Sequence, residues 1–227
     1  MDLSADKIRG ILIGLFVLIV SVALHEFGHA VMAYKLGDDT PRRQGRVTLN
    51  PLAHADPIGT FLLPLVGGIY AATSGVMGGG FGWGKPVQWN PARIRRGVKM
   101  STASILVSFA GPAMNLLLGT VLAIVLVILQ SQGVGGPEVY KILQFALVTN
   151  FVLFFFNLLP VPPLDGGHIA QAFMPYRYRE KFDNFAKYGP FVLLAVIMIA
   201  PLRNVFLWPA MWCAEHLYLA LRSIVGI

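Results

Sequence analysis

The sequence predicts an all-α polytopic membrane protein of about 5–6 transmembrane segments, with a re-entrant segment and a small membrane-associated β-sheet. Three observations lead there. Of 227 residues, 56% are hydrophobic and only 13% charged, with a mean hydropathy of +0.65; ordinary soluble domains carry about 25% charged residues. No charge occurs from Met100 to Pro137 or from Ile142 to Leu164, gaps of 38 and 23 residues, where about 20 suffice to cross a bilayer. The net charge of +7 sits in short stretches between apolar runs, which fits membrane topology rather than nucleic-acid binding. The single cysteine, Cys213, excludes a disulfide scaffold. The chain reads as one integral membrane domain over 1–227, with a core at 8–170 and C-terminal membrane segments at 188–227.

The first span is expected from about Gly10 to Ala33, opening with ILIGLFVLIVSVAL. Lys7, Arg9 and the Ser21-Val22-Ala23 stretch imitate a signal peptide, but apolar periodicity continues through Phe27, Ala30 and Val31. Ile58 to Phe81 is apolar yet broken by Pro64, Gly67, Gly68, Gly75 and Gly78-Gly79-Gly80. Spans follow from about Ser101 to Gln130 and from Ile142 to about Pro160. Tyr188 to Ile227 holds one long broken span or two, interrupted by Pro201, Arg203 and Pro209. Between spans, Gly45-Arg46-Val47-Thr48-Leu49 and Gly84-Lys85-Pro86-Val87-Gln88-Trp89 each end at an Asn-Pro pair, and they are expected to form a two-stranded sheet.

His25-Glu26-Phe27-Gly28-His29 decides the chemistry. On a helix, residues i and i+4 share a face, so both imidazoles can reach one ion, with Glu26 left to act on water. With five His and four Glu in the chain, this pattern arises in roughly 0.2% of shuffled sequences. It also interrupts an apolar helix, where an ionisable group is functional by default. A catalytic zinc keeps three protein ligands. Asp38, Asp39 and Asp56 lie in polar loops and Glu138 is at the wrong end of its span. Asp165 follows the run Asn157-Leu158-Leu159-Pro160-Val161-Pro162-Pro163-Leu164, where prolines must break the helix, and precedes Gly166-Gly167. It is the third ligand expected here. His168 reads as a surface histidine, and His54 with Asp56 as structural groups before Pro57.

Together with Gly111-Pro112-Ala113-Met114-Asn115, these motifs resemble the site-2 protease family of intramembrane zinc metalloproteases. Gly45 to Pro51, Asp56 to Thr60 and Gly82 to Val87 are similar to its short prokaryotic branch, and the likeness covers roughly 20–170. The resemblance implies one Zn²⁺ per chain bound by His25, His29 and Asp165, with Glu26 as the catalytic carboxylate and Asn157 positioning the substrate backbone or the water. It implies cleavage of a transmembrane helix of another membrane protein, within a lipid bilayer and without nucleic acid, and leaves the oligomeric state open. The PDZ or CBS domain common in that family has no room in this chain. Pairing of an unwound substrate with a sheet edge at Gly45 to Leu49 would satisfy its freed backbone groups. The same ligands could also serve a metal transporter or sensor, or a non-catalytic module derived from a protease. Transport would need a polar path the later spans do not offer, and a scaffold has no need of Glu26.

Charge counting gives the topology. The loop Lys35 to Pro57 carries Lys35, Arg42, Arg43 and Arg46, and Gly82 to Met100 carries Lys85, Arg93, Arg95, Arg96 and Lys99. The positive-inside tendency places both in the cytoplasm, which makes Ile58 to Phe81 re-entrant. It also brings His25, His29 and Asp165 to one face of a prokaryotic plasma membrane, the cytoplasmic one.

Overall fold

The computed structural model describes residues 4–74 and 82–227. The first helix, α1 (Ala5–Lys35), runs 31 residues, about 46 Å. It stops at Gly37, whose φ of +110° suits a residue without Cβ. The Asp38 amide reaches back to the Ala33 carbonyl at 3.0 Å and closes the turn. Two short helices follow, α2 (Thr40–Arg43) and α3 (Pro51–His54), each with proline near its start. A π-helical turn, Pro57–Leu62, is capped by the Asp56 carboxylate on the Ile58 and Gly59 amides and continues into α4 (Leu63–Ser74).

Two long helices form the centre, α5 (Met100–Ser131) and α6 (Gly136–Asn157). The proline-rich stretch 158–164 then breaks the chain as expected, and α7 (Asp165–Phe173) begins at the aspartate itself. The chain ends with α8 (Tyr176–Ala186), α9 (Gly189–Met198) and α10 (Ala200–Val225). α5 is the hub: it packs on α1, α6, α7 and α10. Ala123, Leu147, Phe151, Ala210 and Ala214 form the core between α5, α6 and α10. A second cluster, Phe156, Leu164, Leu193 and Phe206, lies where α6, α9 and α10 meet. Leu12, Phe16, Leu117 and Trp208 stay exposed, as side chains solvated by lipid do.

Four stretches are long and apolar enough to cross a membrane: Ala5–Lys35, Pro57–Ser74, Met100–Ser131 and Gly136–Asn157. α9 and α10, bent by 79° at their junction, make a fifth if the pair counts as one broken span. The expected 5–6 segments thus come to four or five in the described chain. The broken segment Ile58 to Phe81 is helical from Pro57 to Ser74, and its residues 75–81 lie outside the described residues.

The predicted β-sheet is wrong. No strand occurs among the described residues; 45–49 is turn and bend, and 84–89 is irregular. Side chains have taken the backbone groups a ladder would need. Arg46 donates to the Ala53 carbonyl at 2.5 Å and, at 3.4 Å, to that of Lys85. The Lys85 amide goes to the His54 carbonyl at 2.8 Å, and His54 Nε2 donates to the Thr48 carbonyl at 2.9 Å. Thr60 Oγ1 donates to the Trp83 carbonyl at 2.9 Å. Docking of a substrate on a sheet edge at Gly45 to Leu49 loses its basis with the sheet.

These contacts lock the two basic loops together. The Arg95 amide donates to the Leu36 carbonyl at 2.9 Å, and buried Asp38 accepts from Thr40 and from the Asn90 amide. Asp39 pairs with Arg43 and Arg93. Desolvation pushes its carboxyl up, but the two guanidiniums outweigh it and hold the group below its ordinary value.

Candidate metal centre

Helical spacing puts His25 and His29 on the side of α1 that α5 covers, with Glu26 turned toward segment 82–89, and each of the three is only 8% exposed. Asp165 arrives from the far end of the sequence because Gly166 and Gly167 allow α7 to fold against the stretch it follows. A Cβ at Gly166 would strike the Leu158 and Leu159 carbonyls, and one at Gly167 would lie 2.6 Å from the Pro162 nitrogen. The result brings together the three ligands expected from the sequence. His25 Nε2 lies 3.1 Å from Asp165 Oδ2, His29 Nε2 lies 3.4 Å from Asp165 Oδ1, and the two Nε2 atoms are 3.0 Å apart.

Zinc fits this trio on three counts. Metal–ligand bonds near 2.0–2.1 Å at tetrahedral angles set neighbouring donor atoms roughly 3.3 Å apart, close to these separations. The other face of each ring fixes its tautomer. His29 Nδ1 meets the Val107 carbonyl at 2.7 Å, and a carbonyl only accepts, so the proton is on Nδ1. His25 Nδ1 meets Asn115 Oδ1, also at 2.7 Å, with the same consequence. Neutral rings held this way turn bare Nε2 lone pairs toward each other and toward a carboxylate, an arrangement that calls for a cation between them. Space is the third count. A Cβ at Gly111 would lie 2.7 Å from His25 Nε2 and nearer still to His29 Nε2, so glycine at that position keeps room above the ligands.

Glu26 is beside the trio. Its Oε2 accepts from the Val87 amide at 3.0 Å, so the irregular segment 82–89 holds the carboxylate. Glu26, both histidines and Asp165 line a cavity of 830 Å³ whose other walls include Trp83, Trp89 and Leu193. Asn157 also lines it, and its amide donates to the Leu153 carbonyl at 2.9 Å. His168 lines the same cavity and is exposed. Asp38 and Asp56 serve the loops, as described above.

Sequence reasoning missed the supporting groups. Asn115 and Gly111 were visible only as parts of one motif, Val87 only as part of an expected strand, and Val107 not at all. A polar amide inside a 38-residue uncharged run was the available signal for Asn115; the others act through backbone or through absence of a side chain.

Comparison with known proteins agrees with this geometry. The chain is 37% identical over 213 residues to the Bacillus subtilis protein named "Putative zinc metalloprotease YwhC", covering 92% of this chain and 90% of that one. It is 33% identical over 216 residues to Rip2 of Mycolicibacterium smegmatis, which carries the same designation, covering 89% and 74% of the two chains. Rip2 of Mycobacterium tuberculosis strain H37Rv is 32% identical over 204 residues, with 84% and 70% covered. No solved structure matches. The model of Peptidase family M50 matches residues 13–137 and 133–200. With its membrane helices and its His-Glu-x-x-His face already in place, the chain belongs to Peptidase family M50, the site-2 protease family.

Proposed function

We propose that this protein is a zinc endopeptidase that cuts transmembrane segments of other membrane proteins, with its site toward the cytoplasmic side of a prokaryotic plasma membrane. One observation carries the reading: an anchored carboxylate, Glu26, shares a cavity with a three-ligand site inside an apolar helix bundle. Bound by His25, His29 and Asp165, zinc would supply a Lewis acid that polarises a scissile carbonyl and brings water's pKa toward ~7.

The chain's own residues do the rest. The Val87 amide holds one Glu26 oxygen and leaves the other to take a proton from the attacking water. As the water oxygen bonds to the carbonyl carbon, Glu26 carries that proton, then delivers it to the departing amine as the C–N bond breaks. Val107 and Asn115 keep both imidazoles turned with Nε2 inward. A helical substrate must unwind to present its carbonyl, and the 830 Å³ cavity gives room for the unwound segment.

Glu26→Gln should lower cleavage of a membrane-embedded substrate by at least ~10²-fold, as loss of a general base does, while zinc content stays near one per chain. Chelation should abolish wild-type cleavage and added zinc restore it. Wild-type activity in Glu26→Gln would defeat the mechanism, and loss of its zinc would make Glu26 a ligand instead.

A further inference from the structure

Behind the metal ligands lies a chain of buried amides joining α1, α5 and α6. Asn115 and Asn150 are each 0% exposed, so their polar atoms must find partners within the protein. Asn115 Nδ2 donates to the Ser21 carbonyl at 3.2 Å and to Asn150 Oδ1 at 3.1 Å. Asn150 Nδ2 donates to Ser21 Oγ at 3.0 Å and to the Ala146 carbonyl at 2.9 Å. Ser21 Oγ in turn donates to the Val17 carbonyl at 2.8 Å. Because backbone carbonyls only accept, the Ala146 contact fixes which way the Asn150 amide points. Asn150 Oδ1 then selects the donor end of Asn115, and the Ser21 carbonyl selects it again. Asn115 Oδ1 is left facing His25 Nδ1.

We propose that Asn150, acting through Asn115 and Ser21, is a positioning residue for the metal site: it holds the Asn115 amide in the orientation that keeps His25 protonated at Nδ1 and bare at Nε2. A turned-over Asn115 would present its NH₂ to His25. The ring would answer with its Nδ1 lone pair and carry the proton on Nε2, where the metal binds. The turn would also set Asn115 Oδ1 against the Ser21 carbonyl and Asn150 Oδ1, two acceptor–acceptor contacts in a low-dielectric interior. Helix packing thereby selects a ligand's tautomer: α6 supplies no metal ligand, yet its Asn150 determines how well a ligand on α1 works.

This proposal rests on the zinc reading above, and the experiment separates the two. Zinc affinity of the purified full-length protein is measured by chelator competition for wild type, Asn115→Leu, Asn115→Asp and Asn150→Leu. Melting temperature is taken with and without zinc, and cobalt-loaded samples report coordination by their absorption. Both leucine variants should bind zinc ~10–100-fold more weakly, the usual consequence of removing a partner behind a ligand, and should lose most of the zinc-induced rise in melting temperature. Asn115→Asp keeps an oxygen toward His25 but sets its second oxygen against the Ser21 carbonyl and Asn150 Oδ1, so it should bind zinc more tightly than Asn115→Leu, with the wild-type cobalt spectrum, at a lower zinc-free melting temperature. Wild-type affinity in Asn150→Leu would remove Asn150 from the device. Equal weakness in Asn115→Asp and Asn115→Leu would show that the oxygen at His25 is not what matters. A lower melting temperature without zinc, at unchanged affinity, would make the amides structural only. Wild-type protein that binds no zinc would overturn the metal reading itself.

Discussion

Gly111 limits the width of the metal site. Its Cβ, if present, would press on the Nε2 atoms of both His25 and His29. In a helix interior Ala is otherwise favoured over Gly by about 1 kcal/mol, so Gly111→Ala separates site from scaffold. We expect at least a ~10-fold loss of zinc affinity, comparable to disturbing a ligand's support, with helix content by circular dichroism unchanged. Unchanged affinity would mean that the ion sits clear of α5. Asp165 and His168 give a second contrast on one helix, three positions apart. Asp165 closes on both imidazoles, whereas His168 is exposed at the cavity wall. Asp165→Ala should strip zinc under mild chelation and His168→Ala should retain it. The opposite result would reassign the third ligand. These residues were legible from sequence because charge inside an apolar run is costly and must be explained. Asn115 and Asn150 were not: a neutral amide costs less, and its partner stands 35 positions away.

Between elements, the decisive contact is α1 against α5. A Cβ at Gly28 would lie 2.5 Å from the Ala110 carbonyl and 2.7 Å from Met114 Cγ; backbone, unlike a side chain, has no rotamer to yield. Gly28→Val should therefore push the helices apart and cost about 1–3 kcal/mol, read as a lower melting temperature. Because His25 and His29 flank the position, zinc affinity should fall as well. A melting temperature and affinity equal to wild type would show that the crossing has slack. The spans themselves were legible, since hydropathy and prolines set their ends within a few residues in most cases. The sheet was misread for a physical reason. Alternation with Asn-Pro punctuation marks extended backbone, but it does not say who satisfies that backbone. Here Arg46, His54 and Thr60 do so from the side, and the Val87 amide is given to Glu26. A segment that sequence patterning assigns to a ladder is bound instead to the Glu26 carboxylate.

At the scale of the molecule, the loops decide the orientation in the membrane. The chain leaves the first basic loop at Pro57, and by Trp83 it is back beside Gly59, whose carbonyl accepts from the Trp83 amide at 3.1 Å. Arg95 then bonds to Leu36, and Lys85 to His54. Loops 36–56 and 82–99 therefore occupy one end of the bundle. α5, at 32 residues, carries the chain about 48 Å away to Gln132, and α6 brings it back toward Asp165. In the orientation proposed above, the end rich in Lys and Arg would face the cytoplasm, as the positive-inside tendency favours, and the turn at 132–135, which holds no charge, would face outward. After Cys213→Ser, single cysteines replacing the exposed Arg43 and Arg95 should react with an impermeant thiol reagent only in inside-out vesicles. A cysteine replacing exposed Gln132 should react only in intact cells. Labelling of Arg43→Cys and Arg95→Cys from opposite sides would contradict the contact between the loops. Labelling of both from outside would keep the fold and invert the protein, placing the metal site toward the exterior.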